Sequence, residues 1–407
     1  NEDGSYSFVR SNKLGLNGAL SIDQNIWFTG GKVSLSSSLD FMKQLGSGGS
    51  RQFMSVPIAL QLTQPIFGVN NLKWNRRIEP VRYEEAKAAF ITATETVTMN
   101  AITYFFNLLS AKETLGTARQ NQVNADRLYE VAGAKRKMGQ ISENELLQLK
   151  LAALKARAAV TDAESNLNAH MFRLRSFLAI GNDLILEPVV PESAPNLKME
   201  YNQVLNKALE RNSFAHNIRR RQLEAEYEVA TARGNLRSVD LFANVGYTGL
   251  NKDLSPAYHN LLDNQVVEVG VKIPILDWGK RRGKVRVAKS NRDVTLSKIK
   301  KEQMDFDQDI FLLVEHFNNQ AQQLSIANEA DKIAQQRYKT SVETFLIGKI
   351  NTLDLNDAQN SKDDARQKHI NELYWYWYYY YQLRSLTLWD FQNNTPLEAD
   401  FEDIVKK

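Results

Sequence analysis

One constant internal interval constrains this chain more than any other feature. Gly139-Gln-Ile-Ser-Glu-Asn-Glu145 and Gly348-Lys-Ile-Asn-Thr-Leu-Asp354 each carry a glycine, an isoleucine two residues on and an acidic residue that precedes a leucine. The glycines are 209 residues apart (348 − 139), as are Pro65-Ile66 and Pro274-Ile275, and Leu174-Arg175-Ser176 and Leu383-Arg384-Ser385. Ala125 and Tyr129 meet Ala334 and Tyr338 at the same interval. A single offset that holds from residue 65 to residue 385 denotes a duplication with almost no net insertion. Whatever this chain builds, it builds twice.

Each half opens on a pair of segments with a period of two. Val33, Leu35, Leu39 and Phe41 alternate with Ser34, Ser36, Ser38 and Asp40, and Met54, Val56, Ile58, Leu60 and Leu62 follow beyond a flexible Gly46–Gly49 turn. In the second half Val239, Leu241, Ala243, Val245 and Tyr247 are followed by Val267, Val269, Val271, Ile273 and Ile275, with Phe242 out of phase. These segments predict four strands, each apolar on one face and small or polar on the other. Residues 1–31 read as polar extended chain with Trp27, Phe28, Gly30 and Gly31. Such strands suit a soluble sandwich or an outer-membrane barrel, since about 9–11 residues cross a bilayer. Four are too few for either a sandwich core or a closed barrel, so a membrane form requires several chains to pool their strands.

The remainder is helical. Residues 80–138, with Pro80 in the first turn, predict a rod of roughly 90 Å, matched by a second rod over 279–347. After Gly139 the positions Leu146, Leu149, Ala153, Ala156, Val160, Ala163, Leu167, His170, Leu174 and Phe177 keep a strict three-four spacing, the seam of a coiled coil. The second short helix, 351–388, carries Lys362, His369 and Glu372 at polar versions of seam positions. In its aromatic run Tyr374–Tyr381, Tyr376 and Tyr379 fall on the seam and are expected to pack inward. A helix over 201–236 has the length to cover the other half of the second rod. The first rod has no such counterpart, so the natural protein is expected to carry an additional N-terminal helical segment and an export signal. The expected organisation is a first repeat over 1–180, a linker over 181–200, a second repeat over 201–390 and an acidic, irregular tail over 391–407.

Composition excludes several classes. There are no cysteines, hence no disulfide, thiolate metal site or cysteine nucleophile. A net charge of +4 is too mild to argue for nucleic acid. No apolar run approaches the roughly 20 residues of a membrane helix. His170, His216, His259, His316 and His369 show no ligand spacing, and no phosphate loop or serine-histidine-acid order stands out. No catalytic residue, metal or cofactor is expected. Basic residues cluster after the second strand of each pair, where Lys73 and Arg77 map by the offset onto Arg282 and Arg286.

Two strands, a very long helix, a glycine corner and a half-length helix, all repeated, resemble the TolC-like outer-membrane efflux proteins. The segments Gln64-Pro65-Ile66-Phe67 and Ile273-Pro-Ile-Leu-Asp-Trp-Gly279 look like that family's strand ends. The ending Tyr374-Trp-Tyr-Trp-Tyr-Tyr-Tyr-Tyr381, with Leu386-Thr-Leu-Trp-Asp-Phe391, looks like its Bacteroidetes branch. The resemblance covers about 32–390. It implies a mainly α protein with a β part: a homotrimer pooling four strands per protomer into a twelve-stranded barrel, continued by a helical cylinder. It implies location in the outer membrane with most of the chain in the periplasm, and partnership with a periplasmic adaptor (membrane fusion protein) and an inner-membrane pump. Passive efflux or type I secretion of small molecules or peptides follows, with no enzyme activity. Gly139 and Gly348 would turn the chain at the periplasmic end and meet the adaptor. Glu145, Asp354 and Asp357 would ring a closed aperture; the plainer reading of Glu145 and Asp354 is a first-turn carboxylate complementing a helix dipole. The tyrosine and arginine that hold the aperture in the family's best-known member correspond here to Phe345 and Ile350, and Lys349 is the basic residue available instead. Lys73, Arg77, Arg282 and Arg286 would face lipid headgroups of the inner leaflet; the plainer reading of these charges is a solvated helix start. A soluble periplasmic coiled-coil adaptor or scaffold with a small β-domain is the alternative.

Overall fold

The computed structural model describes residues 12–45, 49–181, 184–190, 195, 197–237, 239–273 and 276–401. They divide into two compact units, Asn1–Tyr83 with Asn217–Lys301, and Glu84–His216 with Glu302–Lys407.

The first unit is built on one antiparallel sheet of five strands in sequence order: β1 Asn12–Asn25, β2 Lys32–Leu45, β3 Arg51–Pro65, β4 Asp240–Asn251 and β5 Leu261–Lys272. The four expected strands are β2 to β5; β1 is an additional one. The register shows why alternation was so clean. Ile22, Leu35, Leu60, Val245 and Val267 lie side by side across all five strands, and the next row is Asp23, Ser34, Gln61, Asn244 and Glu268. One face is thus apolar and the other polar, because successive side chains point to opposite faces. The apolar row is exposed, from 41% at Leu35 to 66% at Ile22. Phe242 breaks the alternation for a local reason: it stands opposite Gly270, where a Cβ would lie 2.3 Å from its ring. The ring fills the space that glycine leaves, as an aromatic does beside a strand glycine. The residues 46–48 of the expected glycine turn, and Pro274-Ile275, lie outside the described residues.

The duplication is visible in the helices to the residue. The long helices α1 Asn71–Lys137 and α6 Lys280–Leu346 have 67 residues each, and the short α2 Glu143–Leu178 and α7 Thr352–Thr387 have 36 each. Each long helix is about 100 Å at 1.5 Å per residue. Helix α1 begins earlier than expected and contains Pro80 in its interior, not in its first turn. The start is fixed instead by Asn70, whose Oδ1 accepts the Lys73 amide at 3.0 Å, a side-chain cap of the usual kind. The helix expected over 201–236 is two, α3 Tyr201–Arg211 and α4 Ser213–Leu236. Asn212 divides them, its Oδ1 capping the Phe214 amide at 2.8 Å and its Nδ2 donating to the Leu386 carbonyl.

Four hydrophobic clusters hold the second unit. Tyr376, Tyr380 and Leu383 of α7 pack with Ile310, Val314 and Phe317 of α6 and with Val204 and Ala208 of α3. The second fully buried tyrosine is therefore Tyr380; Tyr379 is only partly buried and stacks on His316. An i, i+4 step from Tyr376 reaches the same stripe as an i, i+3 step, and Tyr380 is selected by its hydroxyl, which donates to Asp390 at 2.7 Å. Burial pushes the Tyr376 hydroxyl up to about 12, and burial with the Asp390 hydrogen bond raises Tyr380 as well. The segment after α7 is ordered, contrary to expectation. Trp389–Asp390 (β6) pairs with Thr395–Pro396 (β7), and Lys207 lies 3.8 Å from the Trp389 ring centre. Of the tail, 402–407 fall outside the described residues.

Candidate functional site

Both corners are made the same way, and the sequence dictates how. Gly139 and Gly348 have φ of 74° and 76°, a left-handed conformation that suits glycine after a helix end. The Gly139 and Gln140 amides donate to Arg136 and Lys135 carbonyls, both at 3.0 Å; Gly348 and Lys349 donate to Phe345 and Thr344, also at 3.0 Å. This paired bonding satisfies carbonyls that the helix end would otherwise leave open. Each short helix then starts on a polar cap, Ser142 for α2 and Asn351 for α7.

The corners differ in side-chain chemistry. In the first, Ser142 Oγ accepts the Glu145 amide at 3.2 Å, and the Glu145 carboxylate accepts the Ser142 amide at 2.8 Å. That reciprocal box lowers the Glu145 pKa, chiefly through the Ser142 backbone amide and then its hydroxyl. Arg136 closes the corner on Glu143 at 3.1 Å. In the second, the equivalent positions are Phe345 and Thr352, so no ion pair forms there. Asn351 caps the Asp354 amide at 2.9 Å without a reciprocal bond from a glutamate. Three basic residues occupy the last turn of α1 and none that of α6.

The two corners come together. Leu128, Ala132 and Leu149 of the first hairpin pack with Tyr338, Leu355 and Ala358 of the second, flanked by Ile141, Phe345 and Ile350. A cleft of about 610 Å³ beside this cluster is lined by Glu145, Phe345, Gly348, Lys349 and Asp354, together with Lys135. Five of the residues singled out in the sequence thus share one cleft. Gly139 turns the chain outside it. Asp357 lies one turn further along α7 and pairs with Arg337, which also reaches Ser361 at 3.2 Å. Phe345 is half-buried in the cluster, with the Lys135 ammonium 5.6 Å from its ring centre.

A polar layer that the sequence only hinted at crosses α7 beyond the tip. All ten seam positions of α2 are buried or half-buried, whereas α7 has no buried residue between Ala358 and Ile370. There Arg366 donates to Glu113 of α1 at 2.7 Å and to Asp331 of α6 at 3.1 Å. Burial lowers the Arg366 pKa, but its hydrogen bonds to Glu113 and Asp331 outweigh that and hold it above the ordinary value. Lys362 sits 3.0 Å from both Asn121 and Asp363 and 4.6 Å from the Tyr338 ring centre. His369 keeps a buried Nδ1 without a hydrogen-bond partner, and burial pulls its pKa down. Arg366 escaped notice in the sequence because its partners lie 253 and 35 residues away on other helices.

In the first unit, Lys73, Arg77, Arg282 and Arg286 are exposed and, among the described residues, make no ion pair. Trp27, Phe28, Phe67 and Trp278 are also exposed, at the ends of the strands. Among the described residues no cluster of histidine and carboxylate ligands could hold a metal, and no helix is long and apolar enough to cross a membrane.

The sequence model of the outer membrane efflux protein family matches residues 29–179, from just before β2 to the end of α2, and residues 204–387, from within α3 to the end of α7. The chain belongs to this family. Solved structures share its TolC-like fold at low identity. The CmeC outer membrane channel of Campylobacter jejuni has a TM-score of 0.65 at 16% identity, over 98% of this chain and 80% of that one. For CusC the values are 0.67 and 15%, over 92% and 83%. VceC of Vibrio cholerae gives 0.64 and 13%, over 93% and 86%. None of the curated proteins matches the chain significantly. As a member of this family the protein is an outer-membrane efflux channel, and the family is one of channels and not of enzymes.

Proposed function

We propose that three copies of the chain pool their strands into one outer-membrane barrel, continued through the periplasm by the paired helices as a passive exit duct. The observation that carries this reading is the sheet itself. It exposes an apolar face across its whole width and ends in two strand edges, β1 and β5. Hydrocarbon accepts such a face only when the edges are closed, because an unpaired backbone group in lipid costs several kcal/mol. Trp27, Phe28, Phe67 and Trp278 would then form the interfacial belt, with Lys73, Arg77, Arg282 and Arg286 one or two turns beyond it, against phospholipid headgroups.

The helix corners are the periplasmic end of the duct, where a membrane fusion protein and an inner-membrane pump supply substrate and energy for tripartite efflux or type I secretion. Glu145, Asp354 and Asp357 from three protomers converge there on the axis and favour cations, Lys349 stands among them, and Phe345 seats the corner. Gly139 and Gly348 set the turns that the adaptor meets. The shared cleft of Glu145, Lys349 and Asp354 supports this assignment. The purified protein is expected to run as a trimer in detergent and to conduct in planar bilayers. Asp354→Ala with Asp357→Ala is expected to raise single-channel conductance or weaken block by divalent cations; unchanged conductance and block would remove both residues from the aperture. A non-conducting monomer would defeat the duct and favour a soluble adaptor.

A further inference from the structure

The base of the second hairpin holds a charge cluster that the channel reading does not use. On α1, Glu95 is 7% exposed, and its carboxylate accepts Arg384 of α7 at 3.2 Å. The same guanidinium reaches Asp390, in the segment after α7, at 3.4 Å and lies 4.8 Å from the Tyr381 ring centre. Asp390 is buried and well served. It accepts the Tyr380 hydroxyl at 2.7 Å, the Gln392 and Asn393 amides at 2.9 and 3.1 Å, and the Asn393 side chain at 3.0 Å. Leu388 is left-handed with a φ of 49°, and its carbonyl accepts the Leu397 amide at 2.9 Å, so the segment doubles back at the helix end.

This cluster is built in one repeat and not in the other. At the 209-residue interval Arg384 meets Arg175, but Glu95 meets Met304, Asp390 meets Gly181 and Tyr380 meets Met171. Two carboxylates around one guanidinium leave the cluster one negative charge in excess. The excess rests on Glu95, whose second oxygen is buried with no hydrogen-bond partner. A buried carboxylate in that condition costs more than the neutral acid. Among the described residues no further charge is bonded to it. The positions three and four places away on α1 are Ile91, Thr92, Thr98 and Met99, and Lys207 and Arg211 of α3 lie on the Trp389 ring. Burial accordingly raises the Glu95 pKa, against the pull of Arg384 and with the help of Asp390. Burial also works to raise Asp390, but the Tyr380 hydroxyl and Asn393 outweigh it and hold that pKa low. A proton entering the cluster goes to Glu95.

We infer that Glu95 is a proton-binding site in the joint between α1 and the base of α7. With Glu95 neutral, Arg384 serves Asp390 alone and the joint is shut. With Glu95 charged, two carboxylates compete for one guanidinium, and the 388–397 segment opens more readily. Opening wets Glu95 and returns its pKa toward the ordinary 4.5, so the closed joint binds the proton more tightly than the open one. Closure is therefore strongest below that value and weakens as pH rises through the raised one. The result is an acid-tightened pivot at the end of α7 opposite its Gly348 corner. The joint lies wholly in the second unit, so the inference stands whether or not the strands close a barrel.

The chain has no cysteine, so a spin label at exposed Thr395→Cys reports only the segment after α7. In the full-length protein in detergent, label mobility is expected to rise as pH increases above 4.5 and to lose this dependence when Glu95→Gln is added. Infrared difference spectra, wild type minus Glu95→Gln, are expected to show a protonated carboxyl that titrates with the same midpoint. Asp390→Asn keeps Glu95 and removes its competitor, so the midpoint is expected to move to lower pH in both measurements. A merely structural cluster would leave it in place, and an unmoved midpoint overturns the shared-arginine account. Mobility that keeps its wild-type pH dependence in Glu95→Gln overturns the inference, as does a carboxyl band missing from the difference. A Glu95 that titrates while the label stays unchanged shows a proton site that does not govern the joint, and overturns it equally.

Discussion

The two hairpins have one backbone and two chemistries. α1 with α2 and α6 with α7 agree in length, corner geometry and cap position, yet their seams are held differently. The α2 seam is apolar at every position but His170, with alanines that bring the helices close, and the Arg119–Glu164 and Arg157–Asp126 ion pairs join α1 to α2 beside it. The α7 seam is interrupted by Lys362, Arg366 and His369, and the gap is filled by ion pairs that reach out to Glu113 on α1 and Asp331 on α6. An apolar seam loosens gradually. A charged layer in a half-dry setting is either fully paired or costly, since a carboxylate left alone there loses its whole compensation. The second hairpin is thereby tied to the first by a charged contact, Arg366 to Glu113, that is either made or broken. This is the arrangement a moving part needs, and it makes the Gly348 hairpin the one expected to swing.

The largest effect expected to break the comparison comes from Arg366→Met. It removes the ion-pair partner of Glu113 and of the nearly buried Asp331, leaving Asp331 only its hydrogen bond from Gln335 at 2.9 Å, and is expected to cost about 3 kcal/mol. Chemical denaturation checks this, and adding Glu113→Leu and Asp331→Leu to the same variant is expected to recover most of the loss. Stability unchanged by Arg366→Met alone would mean the layer holds nothing.

Smaller and opposite in location is Ser142→Ala. It removes the reciprocal cap of the first corner and is expected to cost about 1 kcal/mol. Asn351→Ala at the second corner is expected to cost less, because no side chain returns its bond. Equal losses in thermal melts would erase the distinction between the corners.

The finest difference is one of pH. His369 is held neutral by burial, with Asp331 favouring its charged form and Arg366 and Lys332 opposing it, and the net shift is downward from 6.5. The unfolded chain therefore binds the proton more readily. The contribution of His369 is complete above pH 6.5 and declines as pH falls below that value toward the folded pKa. His369→Leu is expected to flatten this part of the stability curve, measured by denaturant midpoints between pH 5 and pH 8. A wild-type slope in the variant would assign the dependence elsewhere.

Much of this was legible in the chain because duplication amplifies weak signals. The glycine corners, the α2 seam and the strands β2 to β5 each appeared twice at one interval, and a pattern seen twice outweighs local propensity. β1 was missed for the same reason. It has no second copy, and Gly15 and Gly18 weaken its strand propensity. The ordered segment around Trp389 was hidden because its stability comes from Tyr380, Arg384 and Lys207, not from its own pattern. The sequence marked Lys362 and His369 as misfits in a seam, but misfits relative to α7 are partners relative to α1 and α6. Only the packed helices show that Arg366 completes them.

The claim that the second hairpin is the moving one has a direct test. Met138 and Ile347 are equivalent tip residues, exposed at 63% and 67%, in a chain without cysteine. Spin labels at Met138→Cys or Ile347→Cys report distances between protomers by pulsed electron resonance, with and without Arg366→Met. The account predicts that the 347 distances lengthen when the charged layer is removed, while the 138 distances stay fixed. Equal displacement of both tips, or movement of 138 alone, would contradict it.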